Sequence, residues 1–570
     1  MNALIDTRKY KATQAAKHML NNPLKYFANE RNIEQLRALL NEDKVALRLI
    51  DLISNSQSQL LRYLNFDKKD SDRFKLIDNV IVDKTDSYVD VQTTFASNLS
   101  PSYTDTKTFE ALEQRLNVTL AESLNSVGID RAALSKGNVP AQCLNTAWLV
   151  EHFALYLVGT LTLDESENGS FVFKVKNRDV FDAMLFGNAL ESASLVAANA
   201  VLSNLAQSGS NGMSHTNPEL YFRALSLIDQ HWKIDSIEVI ESIYHEIADT
   251  VLILIGVLNG SNPITQSTIK EAMKRSPSNK TLLSSFENIK WHQRKIPSED
   301  RLFETKNSGL VLGSVNMVRG LIDQAEFFAK KTMGNDWHSK LESAQKQHLF
   351  SKLEKYPHID VLDFEIKQEH VEVEYRENLS LDVDFFIRDK LHSKIYAVQL
   401  KHITHCHKAG LSLWLEMLAD PKNKLGKGVS QVDNLNKMIG KSTSLRNRLK
   451  DHDISKDELK GLTPIVLHNL GSMDMIAMHD GVFLYDIPTF IRALTERYAV
   501  EDRFHNGSYR AQHSTNGKIR SLRLNQPKEI INEYISDERF RNMSSYNLSK
   551  HITRKVVISD SIIEAIGVGL

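Results

Sequence analysis

The sequence predicts an α+β protein of two or three domains, in which a mostly helical N-terminal region precedes an α/β domain with a mixed central sheet. The chain of 570 residues is longer than one hydrophobic core usually supports. Residues 1–335 carry apolar residues at helical spacing, and residues 336–500 alternate helical segments with short β-rich runs. Residues 501–570 are expected to form a C-terminal helical extension.

The N-terminal region is expected to consist of amphipathic helices. In "NIEQLRALLNEDKVALRLIDLISNSQSQLLRYL", from Asn32, leucine and isoleucine recur every three or four residues, and "SIEVIESIYHEIADTVLILIGVL", from Ser236, has the same spacing. Residues 157–176 interrupt the pattern with two β-rich runs around Asn168-Gly169, which predicts a β-hairpin.

The α/β domain begins with a helical segment, "DWHSKLESAQKQHLFSKLEKYP", from Asp336. Two β-rich stretches follow, "VLDFEIKQEHVEVEY" and "LDVDFFIRDKLHSKIYAVQLKH". A second helical segment, "GVSQVDNLNKMI", precedes the apolar runs "TPIVLHNL" and "GVFLYDI". The predicted order is therefore one helix, several strands, a second helix and two further strands.

Composition narrows the function classes only slightly. The net charge of −1 gives no electrostatic argument for a nucleic acid or membrane partner of the whole chain. Two cysteines are too few for a disulfide framework, which favours a reducing, cytoplasmic location. The most apolar run, residues 250–258, is far shorter than the roughly 20 residues that cross a bilayer, so no membrane partner is expected.

Three polar residues stand in strands that otherwise look buried: Asp384, Gln399 and Lys401. Residues two apart in a strand share a face, so Gln399 and Lys401 point the same way. The short polar connection 388–394 predicts a hairpin that brings Asp384 beside them. We therefore expect an acid, an amide and an amine to converge.

Such a group of side chains suits phosphodiester hydrolysis. Mg²⁺, or Mn²⁺ in its place, prefers oxygen ligands, which Asp384 and the amide of Gln399 supply together with water and a substrate phosphate. An amine such as Lys401 can orient the nucleophile or stabilise charge in the transition state. The alternative without catalysis is that Gln399 and Lys401 are solvent-facing residues of an edge strand.

Asp384 at a strand end, a turn and then "VQLK" resembles the PD-(D/E)XK, or restriction-endonuclease-like, nuclease superfamily. The order of helix, Asp384, "QLK", helix and strand is similar as well, over roughly residues 336–490. The resemblance implies metal-facing roles for Asp384 and Gln399 and a catalytic role for Lys401. It also implies a helix acid near the metal, either Glu342 or Glu354.

The Gln-x-Lys version departs from the name-giving pattern, which has Asp or Glu where this chain has Gln399, and Val383 stands where the pattern has proline. It is similar to a branch with many bacterial restriction and defence nucleases. The resemblance thus implies a magnesium-dependent endonuclease that acts on DNA rather than RNA in antiviral defence. Family members often pair two sites, which would make a homodimer, and the helical N-terminal region would bind a protein partner, an activator or nucleic acid.

A basic segment follows the predicted site. Residues 401–450 contain ten lysines and arginines but only three acids. These basic residues could bind along a phosphate backbone. A helix face exposed to solvent would have the same excess of basic residues. The candidate nucleic-acid contacts in this segment are Lys427, Lys437, Lys441, Arg446 and Arg448.

Two alternatives to the DNA nuclease stay open. One is a non-catalytic nucleic-acid-binding or assembly protein that keeps the fold with a degraded site. The other is a nuclease acting on RNA. It stays open because the catalytic residues alone do not distinguish a DNA substrate from an RNA substrate.

Overall fold

The fold was examined in a computed structural model. It describes residues 2–64, 77–78, 80–81, 114, 117–118, 120–125, 128–135, 138–176, 179, 183, 186–187, 202, 227–228, 231–234, 241–259, 263–275, 280–296, 301–313, 317–376, 379–404, 424–478, 481–495, 522–536, 553–558 and 561–566. Within these ranges, no helix has both the length and the apolar character needed to cross a membrane.

The chain forms two compact units that differ from the three consecutive ranges expected from the sequence. One unit combines residues 1–193, 408–426 and 532–570, and the other combines residues 194–407 and 427–531. No unit boundary falls at residue 335, because one hydrophobic core runs on from Leu202 to Leu341. The roles assigned to the three ranges remain predictions.

Six helices lie before the sheet in the described residues of the first unit: α1 Asn2–Asn21, α2 Pro23–Ala28, α3 Glu30–Leu39, α4 Lys44–Tyr63, α5 Arg131–Ser135 and α6 Val139–Leu157. The sequence dictates where α4 begins, because the Asp43 side chain accepts a hydrogen bond from the backbone N–H of Ala46 at 2.9 Å. Leu49, Ile53 and Leu60 lie on its buried face at helical spacing.

A four-stranded sheet completes the first unit: β1 Leu161–Glu165, β2 Phe171–Val175, and two strands at the C-terminal end of the chain. β1 and β2 pair antiparallel, which confirms the predicted hairpin. Gly169 turns between them with a φ of +75°, a backbone conformation that glycine adopts at little cost.

The prediction of a wholly helical C-terminal extension is wrong. The described part of this range contains the helix Pro527–Ser536, but residues 553–558 and 561–566 form a β-hairpin whose second strand pairs in parallel with β2. The hairpin segments are "TRKVVI" and "SIIEAI", whose β-branched residues favour strands. Short apolar runs of this kind cannot be assigned to helix or strand by periodicity alone.

The second unit begins with helices that share a core. The described helices before its main sheet are α7 Tyr244–Leu258, α8 Gln266–Arg275, α9 Leu282–Gln293, α10 Met317–Met333 and α11 Trp337–Leu353, with a small hairpin of β3 Phe303–Lys306 and β4 Gly309–Leu312. Residues 250–257, within the most apolar run of the sequence, are buried in α7, so this run is core rather than a membrane segment.

A six-stranded mixed sheet forms the centre of the second unit. Its strands are β5 Ile359–Leu362, β8 Phe385–Asp389, β9 Lys394–Lys401, β10 Thr463–His468, β11 Ile476–Ala477 and β12 Phe483–Asp486. The order is β11-β12-β10-β9-β8-β5. β8 pairs antiparallel with β5 on one side and with β9 on the other, whereas β9, β10 and β12 are parallel to one another. β11 pairs antiparallel with β12. The predicted α+β class with a mixed sheet is present.

Helices cover both faces of this sheet. On one face, Phe350 of α11 packs edge-on against Phe385, with ring centroids 5.1 Å apart. On the other face lies the helix Lys424–Ile439, here α12. A methyl group added at its Gly428 would lie 3.2 Å from Cγ of Lys401. Three further helices follow: α13 Thr443–Asp451, α14 Lys456–Lys460 and α15 Ile487–Thr495. The polar residues Gln399 and Lys401 therefore face α12, because Phe385 and its partner Val398 face α11.

Candidate functional site

The hairpin of β8 and β9 brings Asp384 beside Gln399, as the sequence predicts. Its register pairs Phe385 with Val398. Just before β8 the chain changes partner, because β7, Asp382–Val383, pairs with the short strand β6, Ile366–Lys367. Asp384 lies at this change, where its backbone N–H still donates to the carbonyl of Val398 at 2.9 Å.

The half-buried Asp384 and the buried Gln399 form a hydrogen-bonded pair. Asp384 Oδ2 accepts from Gln399 Nε2 at 2.8 Å and from the backbone N–H of Leu400 at 2.6 Å. Neither bond uses Asp384 Oδ1. Gln399 is only 1% exposed, and its Oε1 accepts no hydrogen bond from any residue in the described ranges. Since buried polar atoms are nearly always bonded, this amide oxygen is expected to serve a ligand.

The carboxyl groups of Asp384 and Glu342 both have raised pKa values. Burial raises the pKa of Asp384 to about 6, against the lowering effects of the Leu400 hydrogen bond and of Lys401, and Asp382 and Glu342 add to the rise. Burial also raises the pKa of Glu342. A divalent cation would relieve both carboxylates, because it favours their charged forms.

Glu342 and Lys401 meet at the C-terminal end of β9. Glu342 Oε1 accepts from the backbone N–H of His402 at 3.4 Å, and its carboxylate interacts with the charge of Lys401. Glu354 instead follows the last residue of α11 and is exposed. The two glutamates are twelve residues apart, which is about 18 Å along a helix. The structure therefore places Glu342, rather than Glu354, beside Lys401.

The chain that follows Lys401 is held on both sides. Asn469, directly after β10, accepts from the Ile403 N–H at 2.8 Å and donates to the Ile403 carbonyl at 3.1 Å. Gln345, one turn along α11 from Glu342, places Nε2 3.0 Å from His402 Nδ1. These contacts fix the strand end on which Lys401 lies, which is what a preorganised site requires.

A second pair of an acid and an amide, Asp382 and Gln431, was not among the predicted site residues. Gln431 of α12 donates from Nε2 to Asp382 Oδ2 at 3.2 Å, and its own Oε1 is buried and accepts no bond within the described part of the chain. The strand alternation of Asp382 with Asp384 was the available signal. Nothing in the spacing indicates Gln431, which lies 49 residues further on.

The residues present fit a magnesium ion of the kind that uses few protein ligands. Among the described residues, no three His, Cys, Asp or Glu side chains form a group that could hold a metal ion. Mg²⁺ often uses only one or two carboxylates, with water and substrate phosphate completing its shell. Asp384 and the unbonded amide oxygen of Gln399 supply hard oxygen atoms of the required kind, with Glu342 near enough for an indirect contact.

The five basic residues predicted to contact nucleic acid lie along one stretch of the second unit. Lys427 and Lys437 are on α12, Lys441 lies between the helices, and Arg446 and Arg448 are on α13. The basic residues Lys408 and Lys422 lie outside the described ranges.

Two of these five residues have structural contacts of their own. Lys437 forms an ion pair with Asp433 one turn earlier. Arg446 donates to two carbonyls at the C-terminal end of α12, both at 3.1 Å. Lys427 and Lys441 are exposed and so stand as the stronger candidates for contact with a phosphate backbone.

Exchange of the helix acid gives a prediction with a built-in control. Glu342→Gln is expected to lower metal-dependent cleavage at least about tenfold, because the amide cannot supply the negative charge next to Lys401. Glu354→Gln, with the same chemical change on the same helix, is expected to leave the rate unchanged. Initial rates at saturating Mg²⁺ would measure both, and a larger loss in Glu354→Gln would reverse the assignment.

The chain matches no protein-family model, no curated protein and no solved structure.

Proposed function

We propose that the protein is a metal-dependent nuclease that hydrolyses phosphodiester bonds, with DNA as the expected substrate. The observation that carries this proposal is the hydrogen-bonded pair of Asp384 and Gln399, two residues before Lys401 on β9. The buried amide oxygen of Gln399 accepts no hydrogen bond from any described residue. Carboxyl groups with shifted pKa values next to a lysine are typical of catalytic and binding sites, although networks of ion pairs also shift such pKa values.

Each residue has a distinct part in the proposed reaction. Asp384 and Gln399 would hold the metal, and Glu342 would assist from α11. Magnesium, when bound, would neutralise negative charge on the scissile phosphate. Lys401 would orient the attacking water or stabilise the charge that develops on the phosphoryl oxygens. Burial keeps these charges in a region of low dielectric, where their interactions are stronger than in water.

The topology of the second unit supports the proposal. Helix α11, strands β5, β8 and β9, helix α12 and strand β10 occur in the order that the PD-(D/E)XK resemblance implies. The acid, the amide and the lysine also fall at the implied positions on that framework. Fold likeness by itself does not give function, so the weight rests on the side chains. A role in antiviral defence follows from the Gln-x-Lys resemblance.

The first test is cleavage of supercoiled plasmid by the full chain with Mg²⁺, Mn²⁺ or EDTA. Nicked or linear product is expected with either metal and none with EDTA. Parallel digestion of single- and double-stranded DNA and RNA would identify the sugar. Cleavage that persists in EDTA would refute the metal-dependent mechanism.

The exposed lysines give a salt-dependent prediction. In Lys427→Gln and Lys441→Gln, the slope of log affinity against log salt for duplex DNA is expected to become shallower by about 0.9 per lost phosphate contact. Lys460→Gln serves as the control. It is exposed and precedes Gly461, which lies near Lys394 at the opposite end of β9 from the site. Anisotropy titration would measure the slopes of the wild type and the three variants. Equal slopes in these four proteins would show that Lys427 and Lys441 do not contact the DNA.

One observation favours the second candidate, a non-catalytic binding or assembly protein. Asp384 caps the backbone N–H of Leu400 just where β9 loses β8 as its partner, which is a structural role that needs no chemistry. In that case Asp384→Ala would reduce stability without affecting DNA binding, and no metal would produce cleavage by the wild type.

A further inference from the structure

Helix α12 comes unusually close to the proposed catalytic lysine at one residue. A methyl group added at Gly428 would lie 3.2 Å from Cγ and 3.4 Å from Cε of Lys401, and 3.2 Å from Cγ1 of Val466. Contacts this short are tighter than ordinary van der Waals packing. The side chain of Lys401 therefore runs across the helix at a position where α12 has no side chain.

Of the two neighbours, Val466 has less freedom to move. It is fully buried in β10, and its strand is paired with β9 on one side and β12 on the other. Lys401 is only half-buried and has four rotatable bonds. A side chain at residue 428 would consequently displace the lysine rather than the strand.

The displacement would reach the site itself. Lys401 interacts with the charges of both Asp384 and Glu342, so its ammonium lies on the acidic side of the hairpin. Its stem reaches that location past Gly428. Glycine in the middle of a helix lowers helix stability, so its presence here needs a reason, and the space for the lysine stem supplies one.

We propose that Gly428 is a positioning residue for Lys401: the missing side chain leaves the space through which the lysine stem passes, and this sets the ammonium beside Asp384 and Glu342. The inference rests on the proposed function in treating Lys401 as catalytic. The geometric part, which concerns where the amine is held, can be tested without cleavage.

The test compares Gly428→Ala with Gly440→Ala in the full chain. Gly440 follows α12, and a methyl group there would meet nothing within 4 Å. Gly428→Ala is expected to lower kcat at least about tenfold, since small displacements of a reacting group are costly, with KM changed less than about twofold. Its melting temperature should change little, because the higher helix propensity of alanine offsets the tight contact with Val466. Gly440→Ala should keep the wild-type kcat.

The amine is followed directly by competitive labelling with acetic anhydride and mass spectrometry. The ratio of Lys401 to Lys427 labelling is the readout, because Lys427 is exposed and adjacent to the substituted residue. In Gly428→Ala the ratio is expected to rise, since the displaced amine would leave its carboxylates. An unchanged ratio would overturn the inference even if cleavage fell. Absence of cleavage in the wild type would refute the proposed function, while the ratio would still decide whether Gly428 positions Lys401.

Discussion

Replacement of Lys401 by methionine is expected to lower kcat for DNA cleavage about 10²- to 10³-fold, the range seen when one preorganised group that stabilises transition-state charge is removed. Methionine keeps a flexible unbranched stem of similar length, so it can still pack against Gly428 and Val466. Only the ammonium is lost. The effect should therefore appear in kcat, with little change in melting temperature or in metal affinity.

Lys394 provides the matched control for this substitution. It begins the strand that Lys401 ends, and seven residues of extended chain separate them by about 23 Å. Lys394→Met should retain wild-type cleavage. Rates from single-turnover assays at saturating Mg²⁺ would measure both variants. If Lys401→Met kept most of its activity, the lysine would have no catalytic role, and the non-catalytic alternative would gain support.

Asp384→Asn is expected to abolish cleavage and at the same time to stabilise the fold. The amide oxygen of asparagine can accept the two hydrogen bonds that Oδ2 now accepts, from Gln399 and Leu400, so the hairpin keeps its geometry. The negative charge of Asp384, which would attract the proposed metal, is lost. Sites of this kind often trade stability for function.

The pH dependence follows from the pKa of Asp384, which is raised from 3.8 to about 6. The folded protein holds this proton more tightly than the unfolded chain does, so the contribution of Asp384 to stability falls as pH rises from about 4 to about 6. Above that pH the charged carboxylate costs on the order of 3 kcal/mol. Asp384→Asn should thus exceed the wild type in stability at pH 7 to 8 and lose this advantage below about pH 4.

Urea unfolding across this pH range would measure the difference. Asp457→Asn, an exposed carboxylate in the same unit, should change the free energy of unfolding by less than about 0.5 kcal/mol at every pH. An Asp384→Asn protein that is inactive but less stable than the wild type at pH 7 would indicate that the carboxylate is structural. Retained cleavage would remove Asp384 from the proposed metal site.

The arrangement of Asp384, Gln399 and Lys401 on one hairpin could be predicted from the sequence. Strand periodicity puts Gln399 and Lys401 on one face, and a short polar turn brings Asp384 opposite them, so both hairpins that were predicted are present. The positions of the strands β9 and β10 and of the apolar helix α7 also follow from patterns within a few consecutive residues. Such features depend on the alternation and spacing of side chains along one element, which the sequence displays directly.

The other features of the site and fold could be read only from the folded chain, because they depend on which elements distant in sequence pack together. The choice of Glu342 over Glu354 depends on which turn of α11 reaches the end of β9. The Gln431–Asp382 bond and the contact of Gly428 with Lys401 join residues 49 and 27 positions apart. The C-terminal hairpin takes its place by pairing with β2, where Ile563 lies opposite Phe171, 392 residues earlier. Side-chain patterns carry no record of such long-range contacts, since these form only when the packed core brings the elements together.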